Sequence, residues 1–546
     1  MREKNCQIFR YLIGGIGVSP DAEDGEVLKR AADKMKRLGV FSRSLHFRLY
    51  KRSVDARKKE DIRLVWTVLM ESDAPIPASV CQKSGLRLLE EQAEFLPIGT
   101  QRLTAPPVVV GMGPAGLFAA LVLARKGYRP ILIDRGGAVE ERVCAVERFR
   151  EQGMLDPDCN VQFGAGGAGT FSDGKLVTRI HDPHCRLVLE TFRQFGAPEE
   201  ILTLAKPHIG TDVLRGVVSA MLEEIQRLGG EIHYRCRLVD FEETSDGGVA
   251  VHTATGDFLG GALILAIGHS ARDTYEKLIS KQYAVEAKPL SMGVRIEHLQ
   301  EDIDRALYGR FAGHPRLGHA EYALSDTRTG RGVYTFCMCP GGEVVAAASE
   351  EGGLVVNGMS NHARDGRNAN AAVLVSVKCE DYRPINGSLA LGAIAFQREV
   401  ERRAFRAGGG DYYAPVMTVG DFMRGTRGSE PHRVVPSYRD GRVRGAEFTD
   451  IFPTFVTDSL RYALDSFGKK ISGYDGSDAV LTAAETRTSA PLRILRSSDT
   501  FTAIGHPLVY PCGEGAGYAG GITSAATDGI RIAEALMRRF APLEQE

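Results

Sequence analysis

The chain has 546 residues, 43% of them hydrophobic and 25% charged, and a formal net charge of -1 at pH 7. Such a length exceeds one ordinary core and implies roughly three or four domains, with the composition of a globular chain rather than a disordered one. The near-neutral charge excludes general attraction to nucleic acid or anionic membrane, and no stretch approaches the ~18 apolar residues of a membrane span.

Residues 1 to 100 read as a small α+β module. Ile8 to Val18 has the pattern of a strand, Glu26 to Leu38 that of an amphipathic helix, and Ser44 to Tyr50 and Ile62 to Met70 that of two further strands. The charged stretch KRSVDARKKED, residues 51–61, reads as a solvated hairpin connection rather than a binding patch. The apolar run Tyr11 to Val18 is short and contains three glycines, which does not fit the core of a secretory signal. Ten cysteines lie scattered without a C-x-x-C pair or a metal-type cluster. They read as reduced thiols of a cytoplasmic protein with no metal site.

The next segment, VVVGMGPAGLFAALVLARKGYRPILID at 108–134, runs from a buried strand through Gly111, Gly113 and Gly116 into a helix, and then into a second strand ending at Asp134. The first glycine permits the turn, the second lets backbone approach a pyrophosphate, and the third packs helix on strand. Pro114 and Ala115 open the helix, whose free N–H groups and positive dipole end suit phosphate. Asp134, with Arg135 beside it, stands where such folds place an acceptor for ribose hydroxyls. The loop FGAGGAGTFSDGKL, 163–176, has five glycines in fourteen positions, a density suited to backbone that hugs a ligand. Gly166, Gly167, Gly169, Thr170 and Lys175 are its candidate contacts.

From Glu231 to Gly268 the pattern is a meander, EIHYRCRLVDFEE, GGVAVHTATG and ALILAIGHS, returning to a strand whose end, Gly268, is placed to approach a nucleotide. His269 follows it and is a candidate acid, base or hydrogen-bond donor, or a loop histidine satisfied by backbone. Arg295, Glu297 and His298 alternate on a strand, so the first two share a face. Cys337 and Cys339, two apart on a strand, read as buried structural thiols rather than a redox or metal pair, because neighbouring strand positions are poor disulfide geometry. Asn357, Ser360, Arg367 and Asn370 form a polar block. Arg487, between Thr486 and Thr488 and ahead of Ser489, offers a fork for a carboxylate or for reduced flavin, or a structural salt bridge. Arg295, Asn357, Thr488 and Ser489 are candidate substrate-pocket residues. Late in the chain, VYPCGEGAGYAGGI at 509–522 supplies a second strand and glycine turn leading to a helix near Gly521, so Gly513, Glu514, Gly520, Gly521 and Ile522 face the far end of a long anionic ligand.

The pattern at 111–134 resembles the FAD-binding segment of the glutathione reductase-like two-dinucleotide-binding flavoproteins. There, ILAIGHS matches the late strand motif with Ile267 for its threonine, and YPCGEG matches the ribitol-holding motif with Glu514 for its aspartate. The blocks KRSVDARKK, GGAGTFSDGKL, AIGHSARDTY, GVRIEH, TFCMCPGGEVV, VNGMSNHARDGRNAN, ETRTSAPLRI and GEGAGYAGGI resemble the bacterial FAD-dependent dehydrogenases along nearly the whole chain. The resemblance implies an α/β architecture: a Rossmann-like FAD-binding domain, discontinuous at 101–285 and 490–546, with an inserted α+β substrate or cap domain at 286–489 and the N-terminal module at 1–100. It implies an oxidoreductase that exchanges hydride between FAD and a small organic substrate. The glycine loop lacks the C-x4-C pair of the dithiol oxidoreductases, which argues against their flavin–disulfide relay. Of the G-x-G-x-x-G spacings in the chain only the one at 111–116 stands in a full strand–turn–helix–strand unit with its acid, so electrons come from the substrate, a redox partner protein, or NAD(P)H docking transiently. Two other readings stay open: an FAD with a structural or sensing role or acting on a macromolecule such as tRNA, and NAD in place of FAD.

Overall fold

Apolar residues at alternate positions of Arg63–Ser72 put Leu64, Trp66, Val68 and Met70 in the core, the period of a half-buried strand. In the computed structural model, which describes residues 8–40, 45–89, 98–427 and 431–543, this strand lies inside a four-stranded antiparallel sheet. The order is His46–Asp55, Arg63–Ser72, Phe9–Val18, Arg87–Leu88. Helix Asp24–Arg37 buries Val27, Ala31 and Met35, spaced four apart, and has acids in its first turn and bases in its last, complementing the helix dipole. With the short helix Ala78–Ser84, the order is the β-α-β-β-α-β of ferredoxin-like folds.

This unit comprises Met1–Phe95 with two later segments, Pro198–Pro207 and Asp304–Ala320, so the N-terminal module recruits chain from beyond residue 100. The reason is local. The outer strand His46–Asp55 leaves its backbone unpaired, and such edges are commonly covered. Here Arg52 N–H donates to the Thr203 carbonyl at 2.6 Å, and Ala205 N–H donates to the Arg52 carbonyl at 2.8 Å. The first half of the charged link is therefore strand rather than connection, with Arg52 opposite Trp66 and its guanidinium over the indole at 5.7 Å.

The second unit, Leu96–Ala197, His208–Ile303 and Glu321–Glu546, holds a five-stranded parallel sheet. Its order is Val509–Pro511, Leu263–Leu265, Val108–Val110, Ile131–Ile133, Glu231–His233. Val108, Val109 and Val110 are all buried, as expected of a sheet covered on both faces. From Val108–Val110 the order runs one way to Ile131–Ile133 and the other way to Leu263–Leu265. That is a topological switch point, the place where open α/β sheets present a crevice. Helices Pro114–Arg125 and Ile522–Arg539 follow the two glycine turns and pack on one another.

EIHYRCRLVDFEE is not one strand. Glu231–His233 completes the parallel sheet, whereas Leu238–Glu243 begins a three-stranded antiparallel sheet with Val249–Thr253 and Asp257–Gly260. Between them Arg235 turns left-handed at φ 54°, pinned by Glu141 at 2.7 Å and Asp156 at 2.8 Å.

Residues 289–488 build a seven-stranded sheet. Its two central strands, Leu290–Leu299 and Asn368–Val377, pair antiparallel and are almost wholly buried. Val333–Cys339 and Val480–Glu485 flank them. Apart from Asp304–Ala320, which belongs to the first unit, this segment lies in the same compact unit as the parallel sheet. No helix among the described residues is long and apolar enough to cross a membrane.

Candidate functional site

At the switch point lies a cavity of about 290 Å³. The first glycine turn contributes Gly111, Gly113, Pro114 and Ala115, the second strand Asp134, and the glycine loop Gly167, Gly169 and Lys175. The end of the central strand contributes Gly268 and His269, and the late turn Glu514, Gly520, Gly521 and Ile522. Residues 289–488 close it with Phe336, Cys337, Asn357, Glu485, Arg487 and Thr488. Stretches far apart in the chain thus line one cavity.

Two glycines on this wall stand where no Cβ fits. Gly111 has φ +104°, and a Cβ there would run into the Ala266 carbonyl. Gly167 has φ +63°, and its Cβ would stand 2.7 Å from Gly113 Cα, so the first turn and the loop meet backbone to backbone. Gly166 N–H donates to the Met112 carbonyl at 2.9 Å and fastens them together. Asp134 accepts from Met112 N–H and Gly136 N–H, both at 2.8 Å. Its carboxylate therefore braces the first turn as well as facing the cavity.

Other expected contacts stand behind the wall rather than on it. Gly116 packs beneath Gly111, and Thr170 is buried, its carbonyl accepting from the Thr211 hydroxyl at 2.6 Å. Gly513 N–H donates to Asp528 at 2.7 Å, and Asp528 is also clamped by Arg496. Arg135 points away, pairing with Asp273 at 2.8 Å and stacking over Phe163 at 4.3 Å. Ser489 is not among the lining residues.

Arg295 is a correction to the substrate-pocket set. Its side chain is fully buried, and its donors go to Glu485 (3.1 Å from one terminal nitrogen), Asn370 at 2.8 Å, Asn357 at 2.9 Å and the Cys337 carbonyl at 3.0 Å. It has no donor left for a ligand and acts as a strut. Of the polar block, Asn357 reaches the wall, Asn370 holds Arg295, Ser360 bonds Asp173, and Arg367 donates to the Arg433 carbonyl at 3.0 Å.

Arg487 reaches the wall, yet its fork is engaged on Glu401, at 3.1 Å from Nε and 2.8 Å from a terminal nitrogen, and on the Ser349 hydroxyl. Arg272 grips the same carboxylate at 2.7 and 2.9 Å. Of the two alternatives, the structure realises the salt bridge. His269 shares a hydrogen bond with Ser270 Oγ at 2.9 Å. Burial, with Arg487 and Arg272 nearby, pushes it down to about 4, so at neutral pH it is an uncharged hydrogen-bonding group and not an imidazolium acid. Lys175 donates to Asp173 at 2.6 Å and to the Met338 carbonyl. Burial alone would lower its amine, but Asp173 with the smaller contributions of its other neighbours, Glu321 among them, outweighs this and keeps it charged.

Sequence reasoning missed the braces. Arg142 is wholly buried and donates to the carbonyls of Asn160 and Val161 at 2.8 Å, Ala165 at 2.7 Å and Gly164 at 3.4 Å, fixing the glycine loop from below. The Tyr275 hydroxyl lies 3.0 Å from the Gly268 carbonyl and 2.8 Å from the Gly515 carbonyl, its one proton shared between them, tying the central strand end to the late turn. Their positions in helices gave no sign of these distant carbonyls.

Glu514 faces the cavity, and burial pushes its carboxyl from 4.5 up to about 7, opposed by Lys288. A raised folded value means that the stabilisation is present below the unfolded value near 4.5 and is lost as pH rises through about 7. Glu514→Gln is therefore expected to stabilise the apoprotein at pH 8 by about 3 kcal/mol and to change little at pH 4. Thermal unfolding at both pH values checks this; an equal change at both would contradict it.

Residues 289–488 match the family model "FAD-dependent protein, C-terminal domain-like". The chain is 47% identical over 497 residues to an uncharacterized protein of Clostridium beijerinckii (strain ATCC 51743 / NCIMB 8052), covering 90% of this chain and 92% of that one. Among solved structures, it is similar to CtdE in complex with FAD (12% identity, TM-score 0.33, 79% of this chain and 84% of that one). It is also similar to a thioredoxin reductase of Lactococcus lactis (16% identity, TM-score 0.17, 30% and 35%). The fit of the cavity to a dinucleotide rests on its own features: two helix N-termini behind glycine turns, close backbone packing at Gly111 and Gly167 that leaves no room for a Cβ, and a carboxylate beside the first turn. The chain belongs to the family of the Clostridium beijerinckii protein, and it is an FAD-dependent flavoprotein.

Proposed function

We propose that the protein is an FAD-dependent oxidoreductase whose flavin lies in the switch-point cavity and whose substrate is a small organic molecule. One observation carries this reading: both glycine turns, nearly 400 residues apart, line the same cavity together with residues of the 289–488 segment. When bound, FAD supplies the hydride chemistry.

The chain's own residues then divide the work. Gly111, Gly113 and the N–H groups opening helix Pro114–Arg125 receive the pyrophosphate, and Asp134 the ribose. Gly167 and Gly169 let backbone lie against the cofactor, while Gly520, Gly521 and the start of helix Ile522–Arg539 favour negative charge at the other end. Lys175 adds a fixed positive charge on that wall. His269, neutral, orients a bound group by hydrogen bonding, and Glu514, with its raised pKa, holds a proton near neutral pH. Phe336, Asn357 and Thr488 line the substrate side and help to exclude water.

Electrons arrive from the substrate, a redox partner, or a nicotinamide that docks transiently. Anaerobic mixing of holoprotein with NADH and NADPH tests the last route through loss of the visible flavin absorbance. Rapid bleaching with one nucleotide assigns the donor, and slow bleaching with both assigns the substrate or a partner. Colourless protein that takes up no flavin on reconstitution would end the proposal.

A further inference from the structure

The cavity wall carries one group of reactive side chains that the preceding roles leave unused. The sequence pattern predicts Cys337 as a buried structural thiol, facing the same way as Cys339 along a regular strand. The strand is not regular there. Its pairing with Asn368–Val377 shifts register between Phe336 and Cys339, and Cys337 takes the left-handed φ of 41°, as at a β-bulge, which re-aims side chains. Cys337 is consequently half-buried and lines the cavity beside Phe336, while Cys339 is buried behind it. The two sulfurs stand 4.0 Å apart, close enough that a modest side-chain rotation brings them to bonding distance.

The surroundings favour a thiolate at the cavity side. Arg295 donates to the Cys337 carbonyl at 3.0 Å and approaches Cys339 Sγ at 4.0 Å, and the Lys175 amine sits on the carbonyl of the intervening Met338. Hydrogen bonding from Cys339, then the charges of Arg295 and Lys175, lowers the Cys337 thiol against the effect of burial, and Cys339 is raised in turn. A cavity-facing thiol of lowered pKa with a second thiol behind it is the arrangement of an attacking and a resolving cysteine.

We propose that Cys337 and Cys339 form a second redox centre of the site, exchanging electrons with the bound flavin by dithiol–disulfide interconversion. In the oxidising direction the Cys337 thiolate, its proton already given up to solvent, and the Cys339 thiol lose one S–H bond and form one Sγ–Sγ bond. Two electrons and that one proton pass to oxidised flavin; the reverse restores the thiolate and the thiol. The pair stands on the wall contributed by the 289–488 segment rather than in the glycine loop, so the absence of cysteine from that loop does not bear on it. The inference rests on the reading that FAD fills this cavity with its ring toward Cys337.

The test uses oxidised holoprotein, treated with diamide and then freed of it, and titrated anaerobically with dithionite. Wild type is expected to take up four electrons per flavin, whereas Cys337→Ser and Cys339→Ser take up two with flavin retained. Independently of turnover, mass spectrometry of the peptide holding both cysteines should show oxidised protein two hydrogens lighter and closed to N-ethylmaleimide until reduced, while exposed Cys144 is alkylated throughout. Full flavin occupancy with two electrons per flavin and both thiols open to alkylation after diamide would overturn the relay alone. A chain that binds no flavin would overturn the cofactor reading and the relay with it.

Discussion

Glu401→Gln is expected to destabilise the protein by about 3–5 kcal/mol at neutral pH, the usual cost of leaving buried charge uncompensated. Glu401 has a side-chain exposure of 1%, and its two oxygens receive two guanidiniums, Arg272 and Arg487, together with the Thr486 hydroxyl at 2.8 Å. Burial alone would raise the carboxyl; Arg272 and Arg487 reverse this and hold it well below its ordinary value. A depressed folded value contributes stability that is present above the unfolded value near 4.5 and is lost as pH falls toward the folded one. The gap between wild type and Glu401→Gln should therefore be widest at neutral pH and narrow below about pH 4. Denaturant unfolding at pH 7 and pH 3.5 measures it. A gap that stays constant would mean that the ionised carboxylate is not what holds the two arginines. Because Arg487 reaches the cavity wall, the same change should also loosen the flavin's surroundings.

Gly167→Val is expected to weaken FAD binding by about tenfold or more, since one such factor needs only about 1.4 kcal/mol. A non-glycine residue at positive φ costs about 1–3 kcal/mol by itself. Here the Cβ would also press on Gly113 Cα at 2.7 Å and separate the loop from the first turn. Gly127 supplies the control, because it has φ +83° and nothing lies within 4 Å of the place a Cβ would take. Gly127→Ala should share the backbone cost and keep its flavin. Equilibrium titration of the apoproteins with FAD separates the two; equal loss in both would mean that strain, and not the meeting of the two glycine segments, governs binding.

Much of the nucleotide crevice was legible because its physics is local. Three β-branched residues, the spacing of Gly111, Gly113 and Gly116, and the later Asp134 each declare a conformation over a few residues, and the late turn at Gly513–Gly521 repeats the pattern. What stayed hidden depends on partners distant in sequence. Arg487 was readable as a fork, but Glu401, 86 residues earlier on a helix, decides that the fork is filled. Arg295 was readable as a strand residue facing one side, but its Glu485 partner lies on a neighbouring strand. The bulge that turns Cys337 into the cavity exists only in the pairing with Asn368–Val377. Arg142 carries no motif at all, since carbonyl groups of any sequence satisfy it.

The central claim is that one FAD spans both glycine turns, and hydrogen–deuterium exchange of the apoprotein with and without added FAD tests it most directly. Protection is expected to rise together at 111–116, 166–170 and 513–522, with the same dependence on FAD concentration. Protection confined to the first turn, with 513–522 exchanging as in the apoprotein at saturating FAD, would contradict it.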